Sequence, residues 1–300
     1  MSAHGDIVVP AGNRLGEGVL WCDREQALYW TDIHAAQLWW HRPADGQTRC
    51  WPMPERLASF ALCEAEGWLL LALASRLAFF HPGRNELREL HRLDQVPETR
   101  ANDGACDRQG RFVFGMLHEP ARGAKQPVGQ FHRLHADLSL ETLPLPPVAI
   151  SNSIAFSPDG ATLYFCDSLQ KIIQRCDYGP TLGPATPFVD LRGEDGEPDG
   201  STVDGEGGLW NARWGGARVV RYLPDGREDR HLPVATAQPT RPVFGGGGLA
   251  TLFVTSAHDG MDADSRARDV HAGHLFALAP GIAGLPEPRF TGHPDASPSR

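Results

Sequence analysis

Four short segments of this chain set acidic or amide oxygens beside glycine or serine: Leu15–Gly18 (LGEG), Arg100–Gly104 (RANDG), Ser151–Ser153 (SNS) and Glu197–Gly200 (EPDG). The side chains of interest are Glu17, Asn102, Asn152 and Asp199, with Arg100 beside Asn102. Two carboxylates and one or two amide oxygens, without thiolate or imidazole, suit a hard cation. They favour calcium, magnesium or manganese over a structural zinc. Such a site keeps positions open for water and substrate, so the ion can polarise a carbonyl and lower the pKa of bound water. Taken singly, each residue reads as an ordinary turn residue. Their recurrence at one phase of four different repeats sets them apart. A buried Glu17 with no partner would be costly, so a partner is expected.

The elements that must position these residues repeat along the chain. Each unit is a Gly/Asp turn, a short strand rich in Leu, Tyr, Phe and Trp, a polar stretch and a second strand. With Leu28, Leu69, Phe112, Leu163, Leu209 and Leu252 as markers, the steps are 41, 43, 51, 46 and 43 residues. A period in the forties with all-β content predicts an all-β, six-bladed β-propeller, because one such unit cannot bury both its apolar faces alone. Leu57–Ala65, although rich in Leu and Ala, is expected as a strand of the second blade. Six units use nearly the whole chain, which gives one domain: a propeller over residues 13–291 with a flexible N-terminal segment and a flexible polar tail at Thr291–Arg300. The candidates are expected just before the innermost strand of their repeats, around the central axis at one end. Two polar loops, Leu117–Val128 and Ala257–His274, are long enough to be functional. His118 lies on the first and is expected to overhang the channel as a substrate contact.

Composition excludes several classes. The net charge of −9 and the lack of a Lys/Arg run argue against nucleic acid. No apolar stretch reaches the roughly 18 residues of a membrane span, and the start lacks the basic-then-apolar order of a secretory signal. Six scattered cysteines without a CxxC pair read as reduced thiols, so a cytoplasmic location is expected. Gly245–Gly248 is not followed by Lys-Ser/Thr, so it is no phosphate loop. No GxSxG elbow is present. Asp259–Asp269 lacks the glycine and terminal glutamate of an EF-hand. His271 and His274 are read as part of a polar loop entering a strand.

Several stretches together resemble the senescence marker protein, regucalcin and gluconolactonase family. They are LGEGVLW (Leu15–Trp21), RANDGACDRQGRF (Arg100–Phe112), NSIAFSPDG (Asn152–Gly160), PDGSTVDGEGGLW (Pro198–Trp210), WGGARVVRYLPDG (Trp214–Gly226) and LFVTSAHDGMD (Leu252–Asp262). The resemblance spans about residues 13 to 291. It implies metal ligands at Glu17, Asn152 and Asp199, with Asp199 also the general base. It implies substrate contacts at Arg100 and Asn102, a turn role for Asp103, and a further contact at Glu119, the nearest match in the segment GMLHEP. The SNS segment departs from the Pro-Asn-Gly common among relatives but keeps the ligand oxygen. The implied activity is hydrolysis of an aldono-, aldaro- or uronolactone to the open sugar acid, with one divalent ion as cofactor. Such oxygen-rich sites accept several ions, so calcium, zinc, magnesium and manganese all stay open. Two other functions fit a propeller: a non-catalytic calcium-binding or interaction module, and a related esterase or phosphotriesterase.

Overall fold

The apolar runs that mark the repeats are covered on both faces. Ala27–Asp32 (ALYWTD), Leu57–Leu62 (LASFAL), Leu69–Leu73 (LLLAL) and Phe112–His118 (FVFGMLH) are buried at every position. A strand with neighbouring sheets on either side has no solvent face to keep polar, so its apolar residues run on instead of alternating. In the computed structural model, which describes residues 4–93 and 96–296, these runs fall in six four-stranded antiparallel sheets.

Strand β1 (Asp6–Val9) belongs to the last sheet. The first sheet is β2 (Gly16–Cys22), β3 (Ala27–Asp32), β4 (Gln37–Arg42) and β5 (Gln47–Pro52). The second is β6 (Leu57–Leu62), β7 (Leu69–Leu73), β8 (Arg76–His81) and β9 (Glu86–Arg92). The third is β10 (Thr99–Cys106), β11 (Phe112–His118), β12 (Phe131–Leu134) and β13 (Leu140–Thr142). The fourth is β14 (Ser151–Phe156), β15 (Thr162–Asp167), β16 (Ile172–Asp177) and β17 (Thr186–Asp190). The fifth is β18 (Glu197–Val203), β19 (Leu209–Trp214), β20 (Arg218–Tyr222) and β21 (Glu228–Pro233). The sixth is β22 (Pro239–Gly245), β23 (Thr251–Ser256) and β24 (Leu275–Leu278), completed by β1. This is the expected all-β, six-bladed β-propeller. Among the described residues, no helix is long and apolar enough to cross a membrane.

Burial falls off across each sheet. The inner strands are apolar, whereas β5 (QTRCWP) and β21 (EDRHLP) are mostly exposed. Charged and polar side chains on these outer strands discourage edge-to-edge pairing with other chains.

The chain divides into two compact units, Met1–Arg56 with Leu191–Pro286 and Leu57–Asp190 with Glu287–Arg300. In the first, Trp21, Trp30, Val243, Phe253 and Leu275 form one apolar cluster, and Trp210, Phe244, Leu252 and Phe276 form another. In the second, Leu77, Phe79, Phe112, Phe114 and Met116 pack around Phe290, and Val113, Phe131, Ile154, Phe165 and Tyr178 make the neighbouring core.

Three local expectations are corrected. The segment ahead of residue 13 is not a flexible extension, since Asp6–Val9 pairs with β24 and completes the sixth sheet. The polar loop 257–274 contains a six-residue helix, α1 (Ala263–Arg268), where Asp262 caps the first turn by accepting from Ser265 N at 2.7 Å. The polar tail, expected to be flexible, is anchored through residue 296. Thr291 N donates to Gly110 O at 2.9 Å, and Asp295 pairs with Arg88. Residues 297–300 lie outside the described residues, as do Met1–Ala3.

A buried aspartate organises each of two hairpins. Asp204 accepts from Glu206 N and Gly208 N through one oxygen, and from Trp210 Nε1 (2.7 Å) and Arg221 Nε (2.7 Å) through the other. Asp107 repeats this with Gln109 N and Arg111 N on one oxygen and Arg111 Nε and Tyr178 Oη on the other. Neither aspartate is exposed to solvent. Asp204→Ala would strip a buried guanidinium and an indole N–H of their shared acceptor. We expect a loss of about 3 kcal/mol in stability, read as a lower urea midpoint at unchanged m-value.

His132 of β12 stacks on Phe114 with ring centroids 5.2 Å apart, and burial pushes its imidazole from the usual 6.5 down to about 4. Between those values the unfolded chain binds a proton that the native state refuses. Stability therefore falls as pH drops through this window, by up to about 3 kcal/mol. In His132→Phe, which keeps the stacked ring, the urea midpoint should fall less between pH 7 and 4.5 than in the unaltered protein. Equal falls in both would assign the acid sensitivity to other groups.

Candidate functional site

The candidate residues sit where the first strand of a sheet loses register with the second. Pairing slips between Glu17 and Leu20 in β2, between Ala101 and Gly104 in β10, between Asn152 and Ala155 in β14, and between Pro198 and Ser201 in β18. Glu17 and Asn152 stand at the edge of their slips, Asn102 and Asp199 within theirs. Their sequence context suggested turns before the strands. They lie inside the strands, because a bulge turns a side chain out of the pleat without ending the strand. The residue after Glu17, Gly18, has φ of 61°, and the residue after Asn152, Ser153, has φ of 62°. Glycine takes this left-handed conformation freely, whereas Ser153 adopts it at a cost of about 1–2 kcal/mol.

The chain leading into two of these strands is fixed by matching carboxylates. Asp32, ending β3, accepts from Arg14 N (2.8 Å), Leu15 N (3.2 Å) and Ala35 N (3.2 Å). Asp167, ending β15, accepts from Ala149 N (2.8 Å), Ile150 N (3.2 Å) and Leu169 N (3.2 Å). Each ties backbone N–H groups just ahead of the strand to the turn that follows the next one, and so fixes how the chain enters β2 or β14.

In the unit holding β10 and β14, the candidates join in one polar network. Arg100, only 5% exposed, donates from Nε to Glu119 Oε1 (3.3 Å) and from Nη1 to Ala101 O (2.9 Å) and Asn102 Oδ1 (2.9 Å). Asn102 Nδ2 donates to Ser151 O (2.8 Å) and, at 3.4 Å, to Asn152 Oδ1. Asn152 Nδ2 donates to Ser168 Oγ (2.9 Å), and the facing Asn102 Nδ2 donor, itself oriented by Ser151 O and Arg100, matches an amide oxygen on the other end. Asp103, assigned a turn role from the sequence, bridges the two strands. Its Oδ2 accepts from Ile154 N and its Oδ1 from Gly104 N, both at 2.8 Å. Gly115 permits the close approach, since a Cβ there would lie 2.3 Å from Ser151 Cβ.

The other unit holds Glu17 and Asp199. Glu17 Oε2 accepts from Gly18 N at 2.9 Å. Asp199 is 6% exposed, and Asn211 of β19 donates to its carbonyl oxygen at 2.9 Å and to Ser201 Oγ at 3.1 Å, bracing the bulge. Strand β22 packs against both β18 and β2. A Cβ on Gly200 would come within 2.8 Å of Arg241, and Thr240 Oγ1 donates to Gly16 O at 2.5 Å.

His118 takes a different place. Its partner across the ladder is Thr99, while Arg100 faces Leu117. Successive residues of a strand point to opposite faces, so His118 and Arg100 project on opposite sides of the pair. The His118 Nδ1 accepts from Gln126 N (2.8 Å) and its carbonyl from Lys125 Nζ (3.1 Å), which folds the 119–128 loop back on the strand end. Glu119 is the loop residue that reaches Arg100.

Ser168 and Thr240 had no sequence signal as site residues. Asn211 alone left a trace, as a single amide in the apolar run GLWNARW. Among the described residues, no three His, Cys, Asp or Glu side chains converge. Of the three residues expected as ligands, Glu17 and Asp199 offer carboxylate oxygens and Asn152 an amide oxygen. This all-oxygen set fits a hard divalent cation. A cavity of about 440 Å³ opens elsewhere, against β9 and β11–β13, lined by residues that include His91, Thr99, Met116, Gln130 and His132. None of the candidates lines it.

The sequence profile of the SMP-30/Gluconolactonase/LRE-like region matches residues 15–258. The chain is 51% identical to the L-arabinolactonase of Azospirillum brasilense over 98% of its own length and 97% of that protein's. It is 35% identical to the 6-deoxy-6-sulfogluconolactonase of Pseudomonas putida, covering 95% and 98%. A crystal structure described as the calcium-binding protein regucalcin from Agrobacterium tumefaciens superposes with a TM-score of 0.88 at 30% identity, covering 95% of this chain and 97% of that one. With most of its length inside the matched region and relatives aligned nearly end to end, the chain belongs to the SMP-30/gluconolactonase/LRE-like family.

Proposed function

We propose that this protein hydrolyses a sugar lactone to the open-chain sugar acid, with a five-carbon aldonolactone as its leading substrate. The near full-length, 51% identity to an L-arabinolactonase carries the reading. The buried polar network of Arg100, Asn102 and Asn152 supports it, because such groups suit a ligand dense in hydroxyls.

In this reading Glu17, Asn152 and Asp199 hold one divalent ion by their side-chain oxygens. When bound, it supplies Lewis-acid polarisation of the ring ester. Arg100 and Asn102 orient the sugar hydroxyls. Asp199 takes a proton from the attacking water as the new C–O bond forms at the ester carbon. The ring C–O bond then breaks, and the ring oxygen leaves with the proton returned by Asp199. The products sum to lactone plus water. Asn211 keeps the Asp199 bulge in place, and Ser168 and Asn102 together hold the amide of Asn152 at its two ends.

Asp199→Asn tests the base. We expect kcat to fall by about 10²–10⁴-fold at retained fold, and survival within about tenfold would reject the assignment. Chelation tests the ion. Activity on a lactone panel should vanish and return with calcium, zinc, magnesium or manganese. Full activity in the stripped protein would remove the metal from the mechanism. Stoichiometric calcium binding without turnover of any lactone would favour a binding role instead, the alternative suggested by likeness to a structure described as calcium-binding.

A further inference from the structure

The ladders put one residue of every sheet at the same register. Trp21, Leu62, Cys106, Phe156, Val203 and Phe244 face the apolar markers Leu28, Leu69, Phe112, Leu163, Leu209 and Leu252. Four residues earlier in each first strand stand Glu17, Ala58, Asn102, Asn152, Asp199 and Thr240. Four of these are the candidates already described. Ala58 brings no polar side-chain atom, so Thr240 is the remaining member with an oxygen to use.

Thr240 is fully buried, and its hydroxyl is directed at backbone. Oγ1 donates to Gly16 O at 2.5 Å, one residue ahead of Glu17. Thr255 Oγ1 backs it at 2.9 Å and lies 3.2 Å from Arg241 O. Gly16 fits closely here, since a Cβ on it would come within 2.6 Å of Ser256 O. On the other side, a Cβ on Gly200, the residue after Asp199, would lie 3.0 Å from the Thr240 carbonyl oxygen. One residue of β22 thus meets the backbone of both strands that carry a carboxylate. Its hydroxyl ties β2 beside Glu17, and its carbonyl abuts β18 beside Asp199.

Resting on the ion set of the lactonase reading, we infer that Thr240 is a positioning residue that fixes the spacing of the Glu17 and Asp199 carboxylates and, through it, the size of divalent ion the site prefers. The ladder from β2 to β3 is interrupted just after Glu17, so it holds that residue from one side only. The tie from β22 to Gly16 O supplies a fixed point on the other. Ion size turns spacing into selectivity. Magnesium demands near-octahedral oxygens at about 2.0–2.1 Å, whereas calcium accepts about six to eight at about 2.3–2.6 Å. Carboxylates held a set distance apart suit one of these ions. Carboxylates free to shift adapt to both.

Thr240→Val keeps the shape of the side chain and removes its hydroxyl. Calcium and magnesium affinities are measured by calorimetry on the chelator-stripped protein, with the urea midpoint as the check on folding. The unaltered protein should bind one ion at least about tenfold more tightly than the other. In Thr240→Val the preferred ion should bind more weakly, and the ratio should shrink toward one by about tenfold. Thr240→Ser restores the donor and should keep the ratio within about threefold. Gly200→Ala leaves the hydroxyl in place but presses on the Thr240 carbonyl from the Asp199 side. It should shift the ratio too, and it decides the matter if Thr240→Val does not fold. An unmoved ratio with a lower urea midpoint, or equal shifts in Thr240→Val and Thr240→Ser, would reduce Thr240 to packing and overturn the inference. An unaltered protein that binds neither ion, or both equally, would overturn it as well. If the ratio shifts as stated but no lactone is hydrolysed, the positioning role stands and the hydrolase reading falls. If lactones are hydrolysed and the ratio stays fixed, the positioning role falls alone.

Discussion

The slipped register of the first strands is the constraint on which the rest of this site depends. A strand buried on both faces has nowhere to put a carboxylate, since an ordinary pleat would aim it into apolar packing. At or beside a slip, where the chain holds residues without a partner on the next strand, side chains are turned out of the regular pleat. Glu17, Asn102, Asn152 and Asp199 all stand at such places, in four different sheets. Polar chemistry in an otherwise apolar interior is therefore paid for in backbone hydrogen bonds.

Other side chains recover those bonds. Asp103 takes Ile154 N and Asn211 donates to the carbonyl of Asp199, while Asp32 and Asp167 hold the amides that lead into β2 and β14. Much of the acidic character of the interior is thus structural. Asp107 and Asp204 go further and neutralise or satisfy Arg111, Tyr178, Trp210 and Arg221 inside hairpins. A buried carboxylate here is more often a fastener for backbone than a reagent. Asp103 shows the distinction within one slip, since both its oxygens hold backbone N–H groups while Asn102 beside it joins the side-chain network of Arg100 and Asn152.

The period of the apolar markers made the fold legible. Leu28, Leu69, Phe112, Leu163, Leu209 and Leu252 are each buried in the second strand of a sheet or at its start, so their spacing reports the blade length directly. The site was legible in its residue types, since Gly beside Glu17 and Asp199 marks unusual backbone. It was less legible in its geometry. A register slip depends on the facing strand, which no local pattern records, so the candidates were expected in turns. His118 and Glu119 looked equivalent as neighbours on one loop, and strand alternation separates them. Helix α1 was missed because six residues with an aspartate cap carry too short a pattern. Strand β1 was missed because its partner β24 lies far away in sequence.

That pairing bears on how the molecule is made. Asp6–Val9 is synthesised long before the edge it completes, Leu275–Leu278. Phe290, which fills the core beside Phe79 and Phe112, arrives later still. The sixth sheet therefore cannot be completed until Leu275–Leu278 has been made. Cleavage ahead of Phe290 would accordingly do more than trim a polar tail, because it would leave Phe79 facing an empty apolar socket.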